Sequence, residues 1–359
     1  MKPEQTRSPI HREVYGVTDA GEDVELFTLC NQNQSLLKVI TYGGIITELH
    51  VPDREGEMRD VVLGCHSLDA YLASHPWFGA ITGRVAGRIT DGRFSVDGQS
   101  YQLELNHPPN HLHGGSDALD KRIWRGVTSL NERGEPSVEL SYRSPDGECG
   151  YPGNVEISVR YTLTHDDRLI IDYSAQTDQP TPLSLTNHSY FNLAGATQGS
   201  AADHLIQISC ERFISTDEDL TLSGQIRHVQ GQPNDVREPH QLGQIAPRLW
   251  LQHGDHYLTQ ASPASPPLWV ARAEDPQGGI CLDVYTNASG LQFYTGAPLE
   301  HPAHLNKAGV AYRSLSGFCF ECQGYPDGVN APEIDDIIIT PERPYQQQTV
   351  YAFSTSSGE

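Results

Sequence analysis

The segment LTNHSYFNL, residues 185–193, holds a histidine, His188, between two leucines that suit the ends of a buried strand. Asn187, Ser189 and Asn192 give the segment more hydrogen-bonding capacity than a core strand usually has to satisfy. An imidazole gains and loses a proton near neutral pH, so His188 could act as a general acid or base. A histidine satisfied inside the core accounts for the segment equally well, and residues elsewhere in the chain have to decide between the two.

A second candidate, Glu321, lies in the segment GFCFECQGYPDG, residues 317–328. In an extended strand, alternate residues of this segment form an aromatic face and a polar face, namely Phe318, Phe320 and Cys322 against Cys319, Glu321 and Gln323. A carboxylate on the polar face is either solvated at the surface or held in a cleft. Composition alone favours the solvated position.

Three further segments concentrate polar residues where a strand or its end is expected. They supply Arg84 and Arg88 in GRVAGRI, His111 and His113 in NHLHGG, and Asp255 and His256 in HGDHYL. In an extended chain the two histidines of NHLHGG point to one side and Asp117 follows, which is a weak metal-ligand pattern. Such a pair also arises by chance among 16 histidines, and the glycines after it suit a loop. Cys319 and Cys322 would lie on opposite faces of a strand, so they are a poor zinc or redox motif.

Two hydrolase classes account for the candidate residues less well. Asp255 and Glu321 could be the two carboxylates of a glycosidase, but this assignment leaves His188 and Arg88 without roles. A serine hydrolase would need a G-x-S-x-G nucleophile turn, and the sequence has none.

The overall charge limits the class of partner. The chain of 359 residues carries 46 acidic and 24 basic residues, which gives a formal charge of −22. Such a field repels phosphate backbones and anionic lipids, so we expect no nucleic-acid and no membrane partner. There is no apolar signal region, and no stretch approaches the ~20 apolar residues of a membrane span. Seven cysteines without a framework spacing indicate free thiols in a reducing compartment, so we expect a cytoplasmic protein.

The elements that must position the candidate groups are short strands. In EISVRYTL, residues 156–163, apolar and polar residues alternate, which predicts a strand with one face on a core. RFSVDGQSYQLEL, residues 93–105, has Asp97-Gly98 near its centre and predicts a tight hairpin. No segment shows helical periodicity of helix length. We therefore predict an all-β protein of packed antiparallel sheets, in one domain over residues 1–359 with roughly ten flexible N-terminal residues.

Five segments, in this order, resemble the motifs of the aldose 1-epimerases, also called galactose mutarotases. They are GRVAGRI, NHLHGG, LTNHSYFNL, GLQFYTG and GFCFECQGYPD, spread from Gly83 to Asp327. Matches in DVVLG, SPDGECGYPG and FSVDGQSYQL extend the resemblance over nearly the whole chain. The resemblance implies a large antiparallel β-sandwich of the galactose mutarotase type and no metal or organic cofactor. It also implies interconversion of the α and β anomers of free aldohexoses such as galactose and glucose, by a monomer or a homodimer.

The resemblance also implies roles for individual residues. His188 matches the general acid of the family and Glu321 its general base. The residues that hold the sugar or line the site beside the acid are matched by Arg88, His113, Tyr190, Asp255 and Gln292. One departure is Gly87, where many members of the family have an asparagine, so the sugar contact of that side-chain amide is missing here.

The residue types suit this reaction on chemical grounds as well. Mutarotation removes the proton of the C1 hydroxyl and protonates the ring oxygen, and an ionised carboxylate with a protonated imidazole can do both. The alternative is a non-catalytic sugar-binding or regulatory protein of the same fold, which would keep the pocket but replace the acid or the base. Here both His188 and Glu321 are present. A metal-dependent β-barrel enzyme ranks third, and it would lose activity with a chelator.

Overall fold

Short antiparallel strands account for most of the regular structure, as the alternating sequence pattern predicts. The computed structural model describes residues 8–73, 75–217, 222–249 and 254–356. These residues contain 27 β-strands and two short α-helices, α1 (Leu68–Ala73) and α2 (Leu242–Ile245). Single 3-10 turns occur at Thr90–Gly92, Leu119–Lys121, Glu148–Gly150, Ala246–Arg248, Ala303–Leu305, Lys307–Gly309 and Pro326–Val329. The all-β prediction is confirmed.

A nine-stranded antiparallel sheet forms the largest layer. From one edge to the other its strands are β11 (Arg125–Leu130), β12 (Pro136–Ser144), β13 (Val155–Leu163), β14 (Arg168–Thr177), β27 (Tyr345–Thr355), β23 (Ile280–Thr286), β22 (Leu268–Glu274), β17 (Leu205–Ile208) and β20 (His240–Gln241). The predicted alternation is seen in β13, where Ile157, Val159 and Tyr161 are buried while Glu156 and Arg160 are exposed. One face of the sheet therefore packs on a core, as expected for a sandwich layer.

Two five-stranded antiparallel sheets complete the main architecture. The first consists of β1 (Ile10–Val17), β2 (Asp23–Cys30), β3 (Leu36–Ile40), β4 (Ile46–Pro52) and β5 (Met58–Asp60). The second is ordered β19 (Leu222–His228), β18 (Arg212–Thr216), β21 (His256–Leu258), β24 (Gly290–Tyr294) and β25 (Cys319–Gln323). Of the roughly ten N-terminal residues predicted to be flexible, residues 1–7 lie outside the described part of the chain.

Four two-stranded pairs fill the connections between these sheets. They are β7 (Arg88–Ile89) with β10 (His111–Leu112), β8 (Arg93–Val96) with β9 (Gln99–Gln102), β15 (Thr181–Pro182) with β26 (Ile338–Ile339), and β6 (Ile81–Thr82) with β16 (Thr186–Asn187). The second of these pairs confirms the predicted hairpin, because Asp97 and Gly98 both have positive φ, 50° and 77°, between its strands.

The largest hydrophobic cluster joins the nine-stranded sheet to both five-stranded sheets. Its buried residues include Leu140, Val159 and Ile171 from the large sheet, Leu37 and Ile46 from the first small sheet, and Leu291 and Phe293 from the second. Hydrogen bonds add to this packing: the Tyr351 hydroxyl donates to the carbonyl of Phe320 at 3.0 Å, and the Gln347 amide donates to the carbonyl of Cys322 at 3.0 Å. The strand that carries Glu321 is therefore fixed from behind by the large sheet. None of the described helices is long and apolar enough to cross a membrane.

Candidate active site

A cavity of about 210 Å³ lies between β24 and β25 on one side and the loops around β6, β7 and β10 on the other. Six of the seven site residues predicted from the sequence line it, namely Arg88, His113, His188, Tyr190, Gln292 and Glu321. It is a small, concave, partly apolar space with several converging polar groups, which is the usual form of a small-molecule site.

Two neighbouring strands build one wall of this cavity. In the β24–β25 ladder, Gln292 lies opposite Glu321 and Tyr294 lies opposite Cys319. Paired residues of an antiparallel ladder point to the same face, so these four side chains lie together on the side of the sheet that faces His188. Glu321 is only 3% exposed. The carboxylate is therefore held in the cleft, and the solvated position that composition favours is wrong.

His188 follows directly after the two-residue strand β16 and is fixed through its own backbone. Its N–H donates to the carbonyl of Ala80 at 2.9 Å, and its carbonyl accepts from the N–H of Gly79 at 3.0 Å. The amide of Asn187 donates to the carbonyl of Gly79 at 2.8 Å, and the hydroxyl of Ser189 donates to the side-chain oxygen of Asn187 at 2.6 Å. These polar neighbours bind to protein atoms and hold the turn that presents the imidazole.

Histidine and glutamate form a buried pair. His188 Nε2 and Glu321 Oε2 are 3.5 Å apart, and both side chains are almost fully buried. Burial lowers the pKa of His188 to about 4 and raises the pKa of Glu321 to about 8, while the Arg88 guanidinium partly offsets the second shift. Both pKa shifts favour the neutral forms at pH 7, which is the opposite of the charged pair expected from the sequence. The reason is desolvation, which disfavours either charge in this site.

His113 approaches the pair from the loop side. The N–H of Gly87 donates to His113 Nδ1 at 3.0 Å, and the N–H of His113 donates to the carbonyl of Gly87 at 2.9 Å. Because Nδ1 accepts a hydrogen bond, the neutral ring carries its hydrogen on Nε2. Burial, and then the neighbouring His188 and Arg88, lower the pKa of His113 well below its usual value. His113 is thus a neutral donor that can bind a hydroxyl oxygen.

The same geometry makes a metal centre a poor fit. Ligand atoms of His113, His188 and Glu321 lie within 4.8 Å of one another. However, one nitrogen of His113 accepts the backbone bond and the other carries the hydrogen, so neither has a free lone pair for a cation. In the weaker pattern with His111, the Nδ1–H of that ring donates to the carbonyl of Glu104 at 2.7 Å, and its Nε2 accepts from the hydroxyl of Tyr151 at 2.9 Å. Both nitrogens of His111 are therefore used in holding the loop.

Aromatic rings surround the imidazole of His188. The ring of Tyr190 lies nearly parallel to it, with centroids 5.0 Å apart, and the ring of Trp77 is also nearly parallel at 6.1 Å. Sequence reasoning missed Trp77 and Tyr294, which both line the cavity. Tyr294 had a usable signal, because it comes two residues after Gln292 and therefore shares its strand face. Trp77 had none, because it is placed by a turn in which its φ is +58°.

Asp255 is placed at the edge of the site. It lines an adjoining cavity of about 480 Å³, while the preceding Gly254 lines the first cavity and Thr216 lines both. Burial raises the pKa of Asp255 to about 6. The predicted role of Asp255 in sugar binding stays a prediction. Arg84, the other arginine of GRVAGRI, is buried elsewhere and donates to the Ser144 hydroxyl and to several backbone carbonyls, so it supports the fold.

Comparison with known proteins gives a consistent result. The sequence model of the family described as "Aldose 1-epimerase" matches residues 25–352. The galactose mutarotase of Sus scrofa is 40% identical over 348 residues, covering 97% of this chain and 99% of the relative. The galactose mutarotase of Homo sapiens is 40% identical over 350 residues, with coverage of 97% and 99%. The solved GalM/aldose epimerase homologue from C. elegans superposes with a TM-score of 0.84 at 28% identity, over 92% of this chain and 99% of that one.

Proposed function

The chain belongs to the aldose 1-epimerase family, and we infer that His188 and Glu321 are the proton-transfer pair of its activity. The protein is an aldose 1-epimerase, an isomerase that interconverts the α and β anomers of aldoses. The observation that carries the assignment of the two residues is their buried contact, 3.5 Å between Nε2 and Oε2, on the wall of the cavity. The β-sandwich of this family agrees with the sheets described above.

The pair supports ring opening by a shared proton. At pH 7 the one proton of the pair lies mainly on Glu321, so ring opening proceeds from the form in which this proton has moved across the 3.5 Å contact to His188. From that form, Glu321 takes the proton of the C1 hydroxyl as His188 gives one to the ring oxygen, which opens the ring to the aldehyde. Rotation about the C1–C2 bond and the two reverse transfers then close the ring to the other anomer. One proton must remain on the pair throughout, so the pair titrates as a unit. Burial favours the neutral form that ring opening produces, in which Glu321 carries the proton and His188 does not.

Sugar hydroxyls find directional partners around the pair. Arg88 offers a guanidinium, His113 an Nε2–H, and Gln292 an amide, and all three line the cavity. Tyr190 contributes the aromatic wall beside His188. We propose that these residues hold the pyranose and that Asp255 binds the part of the sugar that extends toward the adjoining cavity.

The substrate and setting are also proposals. Galactose and glucose are the proposed sugars, and relatives named galactose mutarotase support the first of these. No metal or organic cofactor is proposed, since the ligand atoms of His113 do not suit a cation. All seven cysteines are free thiols, which supports a reducing, cytoplasmic setting. We also propose that the chain is a single domain, that it is a monomer or a homodimer, and that it has no nucleic-acid or membrane partner.

Polarimetry on freshly dissolved α-galactose and α-glucose tests the function directly. We expect the protein to speed the approach to anomeric equilibrium for both sugars, with the same rate in the presence of a chelator. A rate that falls to the buffer background with the chelator and returns with zinc would contradict the metal-free mechanism. Sugar binding without any acceleration would instead identify a non-catalytic sugar-binding protein.

A further inference from the structure

One strand provides a partner for each ring nitrogen of His188. Cys319 and Glu321 are two residues apart on β25 and share one face. Cys319 Sγ lies 3.5 Å from His188 Nδ1, and Glu321 Oε2 lies 3.5 Å from His188 Nε2. Cys319 is fully buried, and nothing in the reaction described above uses it.

The proton exchange between His188 and Glu321 determines the tautomer of His188, that is, which ring nitrogen carries the hydrogen when the ring is neutral. A proton that is exchanged between Nε2, Glu321 and the sugar is absent from Nε2 for part of each turnover. A neutral imidazole must then carry its remaining hydrogen on Nδ1. That Nδ1–H points to the sulfur of Cys319, which can accept it as a weak hydrogen bond.

We propose that Cys319 is the positioning residue of His188: its sulfur accepts the Nδ1–H hydrogen bond, so that Nε2 is the nitrogen that gains and loses the catalytic proton. This inference rests on the proposed roles of His188 and Glu321. The sulfur also disfavours a 180° flip of the imidazole ring. In the flipped ring a carbon atom would face the sulfur in place of Nδ1, and the hydrogen bond would be lost.

The properties of a thiol suit this position. Burial, with Glu321 nearby, raises the pKa of the Cys319 thiol well above its usual value, so the group stays neutral. A neutral acceptor orients the imidazole without stabilising its positive charge strongly. A carboxylate in the same place would stabilise the imidazolium and hold the proton on histidine. The thiol therefore orients His188 while leaving its proton free to move.

The chain contains a matched control for this proposal. Cys322 is on the same strand, next to Glu321, and is as buried as Cys319, but it points to the opposite face and packs in the main hydrophobic core. We expect Cys319→Ala to lower kcat by about tenfold to a hundredfold, the scale of a misplaced catalytic group, and to change the pH profile. Cys322→Ala should lower thermal stability with kcat near that of the wild type. Cys319→Ser, which keeps an acceptor, should retain more activity than Cys319→Ala.

Nitrogen NMR of the His188 side chain tests the inference without any variant. In the wild-type protein we expect Nδ1 to be protonated on both sides of neutral pH, and Nε2 to be the nitrogen that titrates. A neutral ring protonated on Nε2 instead would overturn the proposal, as would equal kcat values for Cys319→Ala and Cys322→Ala. Polarimetry of the wild type distinguishes a failure of the proposed function from a failure of the proposed role of Cys319. An inactive wild-type protein contradicts the function. An active protein whose neutral His188 is protonated on Nε2 contradicts only the role of Cys319.

Discussion

The two walls of the cavity are held by different kinds of contact. The strand wall, defined by Gln292, Tyr294 and Glu321, belongs to a five-stranded ladder that is backed by the main core, and Cys319 lies on the same face of this ladder. The loop wall, defined by Trp77, Gly87, Arg88 and His113, comes from turns and two-residue strands. Its geometry depends on single contacts, such as the bond from the Gly87 N–H to His113 Nδ1. Substitutions on the strand wall should therefore change chemistry within an intact site, whereas those on the loop wall should displace the groups that we propose hold the sugar.

The largest effect is expected where the strand wall meets His188. Glu321→Gln keeps shape but cannot take the C1 proton, and His188→Asn cannot deliver one to the ring oxygen. Each substitution should lower kcat by about 10²–10⁴ with the fold retained, as measured by polarimetry and circular dichroism. The double variant should be little slower than the slower single variant, because residues that act as a unit lose their effects non-additively. A folded Glu321→Gln protein with near-wild-type turnover would contradict the mechanism.

A change of pH should inactivate the His188–Glu321 pair without any substitution. In the proposed mechanism only the form with one proton on the pair is active, so kcat/KM should fall below the lower pKa, where both groups are protonated, and above the upper pKa, where neither is. With the pKa of His188 at about 4 and that of Glu321 at about 8, the profile should be flat over most of the range between them. Unshifted pKa values of 6.5 and 4.5 would give a bell only about half as wide. A narrow bell centred between 4.5 and 6.5 would show that burial does not shift the pKa values of His188 and Glu321.

A smaller effect is expected for Arg88 on the loop wall. Arg88→Ala removes a charged hydrogen-bond donor from the cavity, which should weaken transition-state stabilisation by about 1.5–3 kcal/mol. The measurement is kcat/KM by polarimetry, with melting temperature as the check on folding. Arg93→Ala is a suitable control, because Arg93 is an exposed arginine that begins β8 and lies outside the cavity. Equal kcat/KM values for the two variants would remove Arg88 from the site.

The sequence largely predicts the strand wall, but it predicts the loop wall in less detail. A period of two fixes which residues share a face, so the position of Glu321 beside Cys319 follows from the strand assignment alone. The burial of Glu321 does not follow, because it depends on loops that are distant in sequence, and the order of the two pKa values depends on that burial. Arg88 and His113 were found through the resemblance of their motifs. The place of Trp77 depends on a turn bonded to the backbone of His188, which no local pattern indicates.

The smallest effect is expected at Gly87 on the loop wall. Its φ is +85°, and a Cβ atom there would lie 2.4 Å from the side chain of Pro326. Gly98 is the matched control, since its φ is +77° but a Cβ atom would meet nothing within 4 Å. Both Gly87→Ala and Gly98→Ala should lower thermal stability through backbone strain, by roughly 1–2 kcal/mol. Only Gly87→Ala should also lower kcat/KM, by about fivefold for each 1 kcal/mol of lost transition-state stabilisation, because the displaced backbone N–H no longer fixes His113. Unchanged kcat/KM in the Gly87→Ala protein would mean that the His113 ring is held by the packing around it, and the loop wall would then be as rigid as the strand wall.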